Sequence, residues 1–418
     1  MLTPSYSTTA TERVLPRLYL DFLAGTLDAR VALTRAANTA TRVNSTGALE
    51  TVLANTPRFN YNPTSLVCLG LLIETSSTNS IRNSTATGAV AGTPGTSPTN
   101  WINFTSLLSG VQASIAAVGV ENGVEYIDVN FAGTATASTN LRYDFDLTTA
   151  IPAAVGQTWS QSVYVKTISG TPPNCVLNLI ERSAAGAILI SSFSGTLNLT
   201  ATNLLNGRGG STHTLSNAST AYVQSGFRFS VVNGTAYNFT VRLGLPQLEQ
   251  SPSITSVIKT STVAVARNAD VAVMTGTNFS SWWQATQGAA VVRVLPSTIS
   301  GVRPAIEFDD NTADNAITLR GNAANPELFI RATTDQAQID AGTIVANTAY
   351  NLSGAWNTDN CAAAINGAAP ATDASATIPT VTQARLGSDG TNYLNGHLQT
   401  FRYWPQRLTN AEVQAFSK

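Results

Sequence analysis

Charge is what this sequence has least of. Charged residues make up 11% of the 418 positions, against about 25% in an ordinary soluble domain. Lysine occurs at only three positions, Lys166, Lys259 and Lys418, beside 20 arginines, and the formal net charge is −1. No basic patch is large enough to drive phosphate binding, which argues against a nucleic-acid partner. No stretch approaches the roughly 18 consecutive apolar residues that a membrane helix needs. The Glu, Lys and Leu heptads of a coiled coil are also missing. Cysteine is nearly absent. Cys68, Cys175 and Cys361 are odd in number, far apart and without CxxC spacing. That speaks against zinc and redox motifs and for free thiols in a reducing cytosol. The opening Met1-Leu2-Thr3-Pro4 shows no basic region followed by an apolar one, so no secretory leader is expected. The only histidines are His213, in an expected loop, and His397, beside an Asn-Gly turn. Neither sits in a pattern that suggests a base held by a third group, so no nucleophile–histidine site is expected.

What the chain does have is Thr, Ser and Asn, 57, 37 and 34 of them, with 43% hydrophobic residues. Thr with Val, Ile and aromatics favours strands, and Asn with Gly favours tight turns. The expected fold class is all-β: two β-sandwich or jelly-roll modules preceded by an N-terminal attachment region of short strands. The boundaries read from composition are 1–82 for that region, 83–250 for a jelly roll, 251–268 for a linker and 269–418 for a second sandwich.

Alternation supports this division. Leu18–Phe22, Val31–Arg35, Thr41–Val43, Arg58–Pro63 and Gly70–Glu74 read as strands of the first zone. The turn-rich stretch from Asn83 to Asn100 marks its end. Glu125–Phe131, Leu141–Phe145 and Trp159–Lys166 read as strands of the second zone. Asn233-Gly234 there reads as the turn of a hairpin. In the third zone Ala289–Val294, Ala305–Phe308, Ala316–Arg320 and Glu327–Arg331 are strand patterns, and Asn366-Gly367 is another hairpin turn. Trp282-Trp283 in a strand would turn one ring inward and leave the other for an interface. Thr409 with Glu412 forms a capping box, and Leu408 with Val413 a hydrophobic staple, so one short helix is expected over Asn410–Phe416.

Two groups of motifs carry a resemblance. Gly387-Ser388-Asp389-Gly390, Leu394–Leu398, Phe401–Trp404 and Arg407–Glu412, with Ala355-Trp356 and Ile365-Asn366-Gly367, resemble the concanavalin-A-like, laminin-G-type sandwich. Leu20–Phe22, Leu33–Arg35, Arg58-Phe59, Gly70–Glu74, Val241–Glu249 and Ala266–Asp270 resemble head-spike and tail-fibre proteins of tailed bacteriophages. The resemblance implies a virion appendage made in the host cytoplasm and acting extracellularly. It implies a carbohydrate-binding-like jelly roll and a laminin-G-type domain that bind host-surface polysaccharide, an N-terminal region that binds other virion proteins, and a homo-oligomer, trimeric by analogy. A purely structural collar or decoration fibre is the alternative. A capsule-degrading glycosidase is a third reading, and the expectation is that the protein is not an enzyme.

Candidate site residues follow from sugar chemistry. A sugar stacks its C–H face on an aromatic ring and needs paired donors and acceptors for its hydroxyls. Trp101, Tyr164, Trp356 and Tyr393 are the candidate platforms, with Arg385, Asp389 and Asn392 flanking Tyr393. Catalytic carboxylates are suggested only by proximity, at Glu121, Glu125 and Asp128 or at Asp309, Asp310 and Asp314. The latter three are also a weak calcium candidate, in a loop that could instead be a plain hairpin turn. No other cofactor is expected.

Overall fold

A computed structural model describes residues 15–103 and 110–418. The reading of Met1–Pro4 lies outside the described residues. The fold is all-β, and the chain divides into two compact units. One holds residues 33–270; the other holds residues 1–32 together with 271–418. Among the described residues no helix is long and apolar enough to cross a membrane.

The unit of residues 33–270 is built on two five-stranded antiparallel sheets. The first orders its strands as Arg208–Thr214, Thr158–Ser169, Ala236–Glu249, Val124–Thr134 and Val111–Glu121. The second orders Ile188–Phe193, Cys175–Arg182, Tyr222–Val231, Thr139–Asp144 and Ile102–Asn103. Alternate residues of both sheets fill one core, where Phe131, Phe227, Phe229 and Phe239 meet at ring-centroid distances of 4.8–6.3 Å. Asn233-Gly234 does not close a hairpin. The strand before it lies in the second sheet and the strand after it in the first, so the turn crosses between layers. His213 sits on a strand, not in a loop.

The expected N-terminal region 1–82 is not a body of its own. Its strand Leu18–Asp21 pairs with Gly396–Trp404, Leu20 opposite Phe401. Its later strands belong to the unit of residues 33–270. Strands of three to six residues cannot bury a face alone, so they pack against a larger body, some only as two-stranded pairs such as Ala40–Val43 with Leu49–Val52. The expected linker 251–268 is likewise built in. Val257 and Ile258 are buried, Thr260 donates to the Ile81 carbonyl at 2.6 Å, and Val265–Arg267 pairs with Ser77–Asn79.

Five charged side chains of this unit gather out of solvent. Arg35 Nη1 donates to Asp270 Oδ1 at 2.8 Å, and Arg58 pairs with both Asp270 and Glu74, the latter at 2.7 Å. Arg267 faces Glu74 at 3.4 Å. Burial pushes the Glu74 carboxyl up, but Arg267, Arg58 and two hydrogen bonds from Ser256 override it and hold it well below the usual carboxylate range. Burial lowers the Arg58 guanidinium, and Asp270 and Glu74 more than restore it.

The second unit is a sandwich. One layer orders Ala371–Asp373, Cys361–Ile365, Tyr350–Asn357, Gln287–Pro296 and Gly396–Trp404, with Leu18–Asp21 beside the last. The other orders Val271–Thr275, Gln383–Leu386, Val302–Asp309, Asn315–Asn322, Asn325–Ala332 and Thr334–Asp340. Asn366-Gly367 does turn a hairpin, with both residues at positive φ. Helix Asn410–Phe416 starts on the Thr409–Glu412 capping box, and Leu408 and Val413 pack on the outside of the first layer. Trp282 and Trp283 do not lie in a strand. They follow a one-turn helix, Thr277–Ser280, and both pack on Phe279, Phe308 and Tyr403. Trp283 is half-buried in that cluster and is not a freely exposed ring.

Candidate functional site

The second layer of this sandwich buries one face and leaves the other polar. Phe308, Ile317, Leu319, Leu328, Ile330 and Leu386 point into the core. Strand alternation then sends their neighbours to the opposite face. There the register sets Arg385, Glu307, Thr318, Phe329 and Gln338 in one row across five strands. The rows on either side carry Gln383, Asp309, Ala316 and Arg331, and Arg320 and Glu327. Of these, Glu307, Asp309, Ala316, Arg320, Phe329, Arg331 and Arg385 line a cleft of about 470 Å³ together with the loop Asp389–Asn392.

The cleft is held by paired charges. Asp309 accepts from Arg385 Nε at 2.8 Å, from Gln383 Nε2 at 2.5 Å and from the Asn311 amide at 2.6 Å. Arg385 Nη2 also donates to Asn311 Oδ1 at 2.7 Å. Arg320 Nε donates to Glu327 Oε1 at 2.6 Å, and its guanidinium lies 3.7 Å from the Phe329 ring centroid. Asp389 accepts from the amides of Thr391 (2.9 Å) and Asn392 (2.6 Å), which shapes the lip of the cleft.

Glu307 differs from these. It is 7% exposed and accepts a hydrogen bond from Thr318 Oγ1 at 2.8 Å. Burial, with smaller contributions from Asp389 and Asp309, pushes its carboxyl up to about 8, against the opposing effects of Thr318 and Arg385. At neutral pH it is therefore mostly a protonated donor. The cleft presents balanced donor–acceptor pairs, with little net charge.

Of the residues singled out from sequence, Arg385, Asp389 and Asn392 come together here. Tyr393 lies in the same loop, half-buried, and does not line the cleft. The other three aromatics are core residues. Trp356 is 0% exposed, 5.6 Å from Phe308. Trp101 is 6% exposed, donates Nε1–H to the Asn83 carbonyl and packs edge-on against Phe145. Tyr164 is 5% exposed among Leu204, Leu205, Leu245 and Val257. Large rings fill interiors before they serve surfaces.

The carboxylate groups drawn by proximity are also spent elsewhere. Asp309 faces Arg385. Asp310 accepts from Thr312 and Asn315 in its own loop. Asp314 is exposed. Among the described residues no three His, Cys, Asp or Glu side chains gather to hold a metal. Glu121 and Asp128 pair with Arg242, and Glu125 with Lys259. Glu307, Arg320, Glu327 and Phe329 were missed. The signal was present in the period-two alternation of Ala305–Phe308, Ala316–Arg320 and Glu327–Arg331, which puts all four on one face.

No family model matches the sequence, and no curated protein matches it. Solved structures give partial likenesses. The CBM40 domain of Ruminococcus gnavus IT-sialidase, bound to α2,6 sialyllactose, aligns over 34% of this chain and 88% of its own, at 17% identity and a TM-score of 0.30. Domain 4 of the arabinanase AbnA from Geobacillus stearothermophilus, in complex with arabinotriose, aligns over 36% of this chain and 73% of its own, at 14% identity and a TM-score of 0.28. Trypanosoma rangeli sialidase aligns over 74% of this chain and 62% of its own, at 11% identity and a TM-score of 0.28.

Proposed function

We propose that the protein binds carbohydrate in the cleft between Arg320 and Asp389. The observation that carries this is the Arg320 guanidinium laid on the Phe329 ring and fixed edge-on by Glu327. A planar, apolar-backed surface of this kind suits the C–H face of a sugar ring. Asp309–Arg385, Asp389 and Asn392 supply donors and acceptors within the same 470 Å³. Hydroxyls need both, and balanced pairs favour an uncharged saccharide over an ion.

The biological setting belongs to the same proposal. The chain acts as a bacteriophage virion appendage that attaches to host-surface glycans, held to the particle by other virion proteins as a homo-oligomer. The motif resemblance at Leu33–Arg35, Arg58-Phe59, Gly70–Glu74 and Ala266–Asp270 supports that setting. We read the cleft as a binding site without turnover.

A second reading has one observation behind it. Glu307 keeps its proton at neutral pH beside Asp309 and Asp389, as a glycosidase general acid would.

One experiment separates the readings. The full chain is screened on an array of bacterial surface glycans, and hits are titrated by calorimetry with wild type, Arg320→Ala and Phe329→Ala. Losing one charge-assisted contact of about 1.5–3 kcal/mol weakens binding by about tenfold or more. Absence of any hit, or affinity unchanged in both folded variants, would overturn the proposal. Release of reducing ends from a bound glycan, abolished in Glu307→Gln, would establish the glycosidase instead.

A further inference from the structure

The first layer of the same sandwich carries a second pocket, of about 440 Å³, lined by Tyr19, Arg293, Asn351, Thr400, Arg402 and Lys418. Its position follows from register. Tyr19 lies opposite Arg402, and Thr400 lies opposite Arg293, which lies opposite Asn351. These side chains share one outward face beyond the edge of helix Asn410–Phe416.

The arginines of this unit fall into two groups, and Arg17, Arg303 and Arg407 are held by carbonyls with no acid in the salt-bridge range among the described residues. Elsewhere in this unit, Arg30, Arg320, Arg331 and Arg385 each face a carboxylate within 2.8 Å. Arg293 and Arg402 do not. Arg293 Nε donates to Gln399 Oε1 at 2.8 Å, and Arg402 Nη2 donates to the Phe416 carbonyl at 3.1 Å. Neither guanidinium is within 4.0 Å of an Asp or Glu among the described residues, and no carboxylate side chain lines the pocket. By register Asp21 lies opposite Thr400, its Oδ1 accepting from the Leu23 amide at 3.0 Å, and Lys418 lines the pocket with its main-chain carboxylate accepting from Asn351 Nδ2 at 2.8 Å. Both arginines are half-buried, and burial lowers the Arg402 guanidinium. Two half-desolvated cations on adjacent rows outnumber the one carboxylate, that of Lys418, which Asn351 already holds, and the surplus positive charge favours an oxyanion. A guanidinium fork matches the paired oxygens of carboxylate, sulfate or phosphate. Tyr19, 52% exposed beside Arg402, adds an aromatic wall.

We infer that this pocket is a separate binding site for the acidic substituent of a polysaccharide, with Arg293 and Arg402 on the oxyanion and Tyr19 against the sugar ring. It is independent of the Arg320–Phe329 cleft, which lies on the other layer and favours uncharged sugar.

The test titrates the full chain with four probes: an oligogalacturonate (carboxylate), a heparin-derived tetrasaccharide (sulfate), a glycerol-phosphate oligomer (phosphate) and a neutral dextran oligomer. Inorganic sulfate is run beside them. At least one acidic oligomer should bind, and the arm that binds identifies the oxyanion. Binding should weaken about tenfold or more as salt is raised past the point where the Debye length falls to about 3 Å. Arg293→Gln and Arg402→Gln should each weaken it about tenfold or more. Arg30→Gln removes a positive charge elsewhere and should leave affinity unchanged. Arg402 also holds the Phe416 carbonyl, so Arg293→Gln is the decisive variant if Arg402→Gln fails to fold. Binding confined to inorganic sulfate, equal binding of dextran, or full affinity in folded Arg293→Gln would each overturn the inference.

Discussion

Glu307 makes stability depend on pH in a direction that can be worked out in advance. Its ordinary value of 4.5 is raised to about 8 in the folded chain, chiefly by burial. Between those values the folded state holds a proton that the unfolded state has released. Stability therefore falls as pH rises from about 4.5, and the loss is complete above about 8. At 1.36 kcal/mol per pH unit the interval amounts to about 5 kcal/mol. Glu307→Gln keeps an acceptor for Thr318 Oγ1 and never ionises, so it escapes this loss. The assay is urea unfolding of wild type and variant at pH 5, 7 and 9, followed by tryptophan fluorescence. The two should be nearly equal at pH 5. By pH 9 the variant should be the more stable by up to about 5 kcal/mol, with about 2 kcal/mol as a floor if water enters the cleft on ionisation. A gap that stays constant from pH 5 to pH 9 would refute the assignment of a buried, protonated carboxyl.

Two further predictions concern stability. Asp270→Asn strips the counter-charge from Arg35 and Arg58 and should lower unfolding stability of its unit by about 3–5 kcal/mol, read as a lower urea midpoint. An unchanged midpoint would mean the network contributes nothing. Thr409→Ala removes the cap of helix Asn410–Phe416 and should lower stability by about 1 kcal/mol, seen as a small drop in the thermal midpoint. A drop as large as that of Asp270→Asn would show that the helix does more than cover Trp404.

Local patterns were legible wherever a single segment decided the outcome. The capping box at Thr409, the Asn366-Gly367 turn and the alternating strands all lie where the sequence puts them, because each depends on neighbours a few positions away. Pairing was less legible. Nothing local to Asn233-Gly234 says that its flanking strands enter different sheets, and nothing near Leu18 says that its partner is Phe401 or Tyr403. The site was half legible. Asp389 and Asn392 were picked out because polar loops advertise themselves, and Arg385, on the strand that leads into that loop, came with them. Trp101, Tyr164 and Trp356 prove to be buried; ring size speaks equally for core and platform, and only burial separates Trp356 from Phe329. Glu307 was hidden because a lone acid in a strand looks like a solvated face until the loop Asp389–Asn392 closes over it.

The buried charges have a consequence for how the chain is threaded. Arg35 stands at the entrance to the unit of residues 33–270 and Asp270 at its exit, 2.8 Å apart. The segment thus enters and leaves its own body through one latched doorway. That segment is an insert in the sequence, and the host unit is made of residues on both sides of it. The host is served last. Leu18–Asp21 leaves the ribosome before the insert and its partner Gly396–Trp404 after it, so their pairing waits until the insert has been made. The insert, complete at residue 270, can be folded by then.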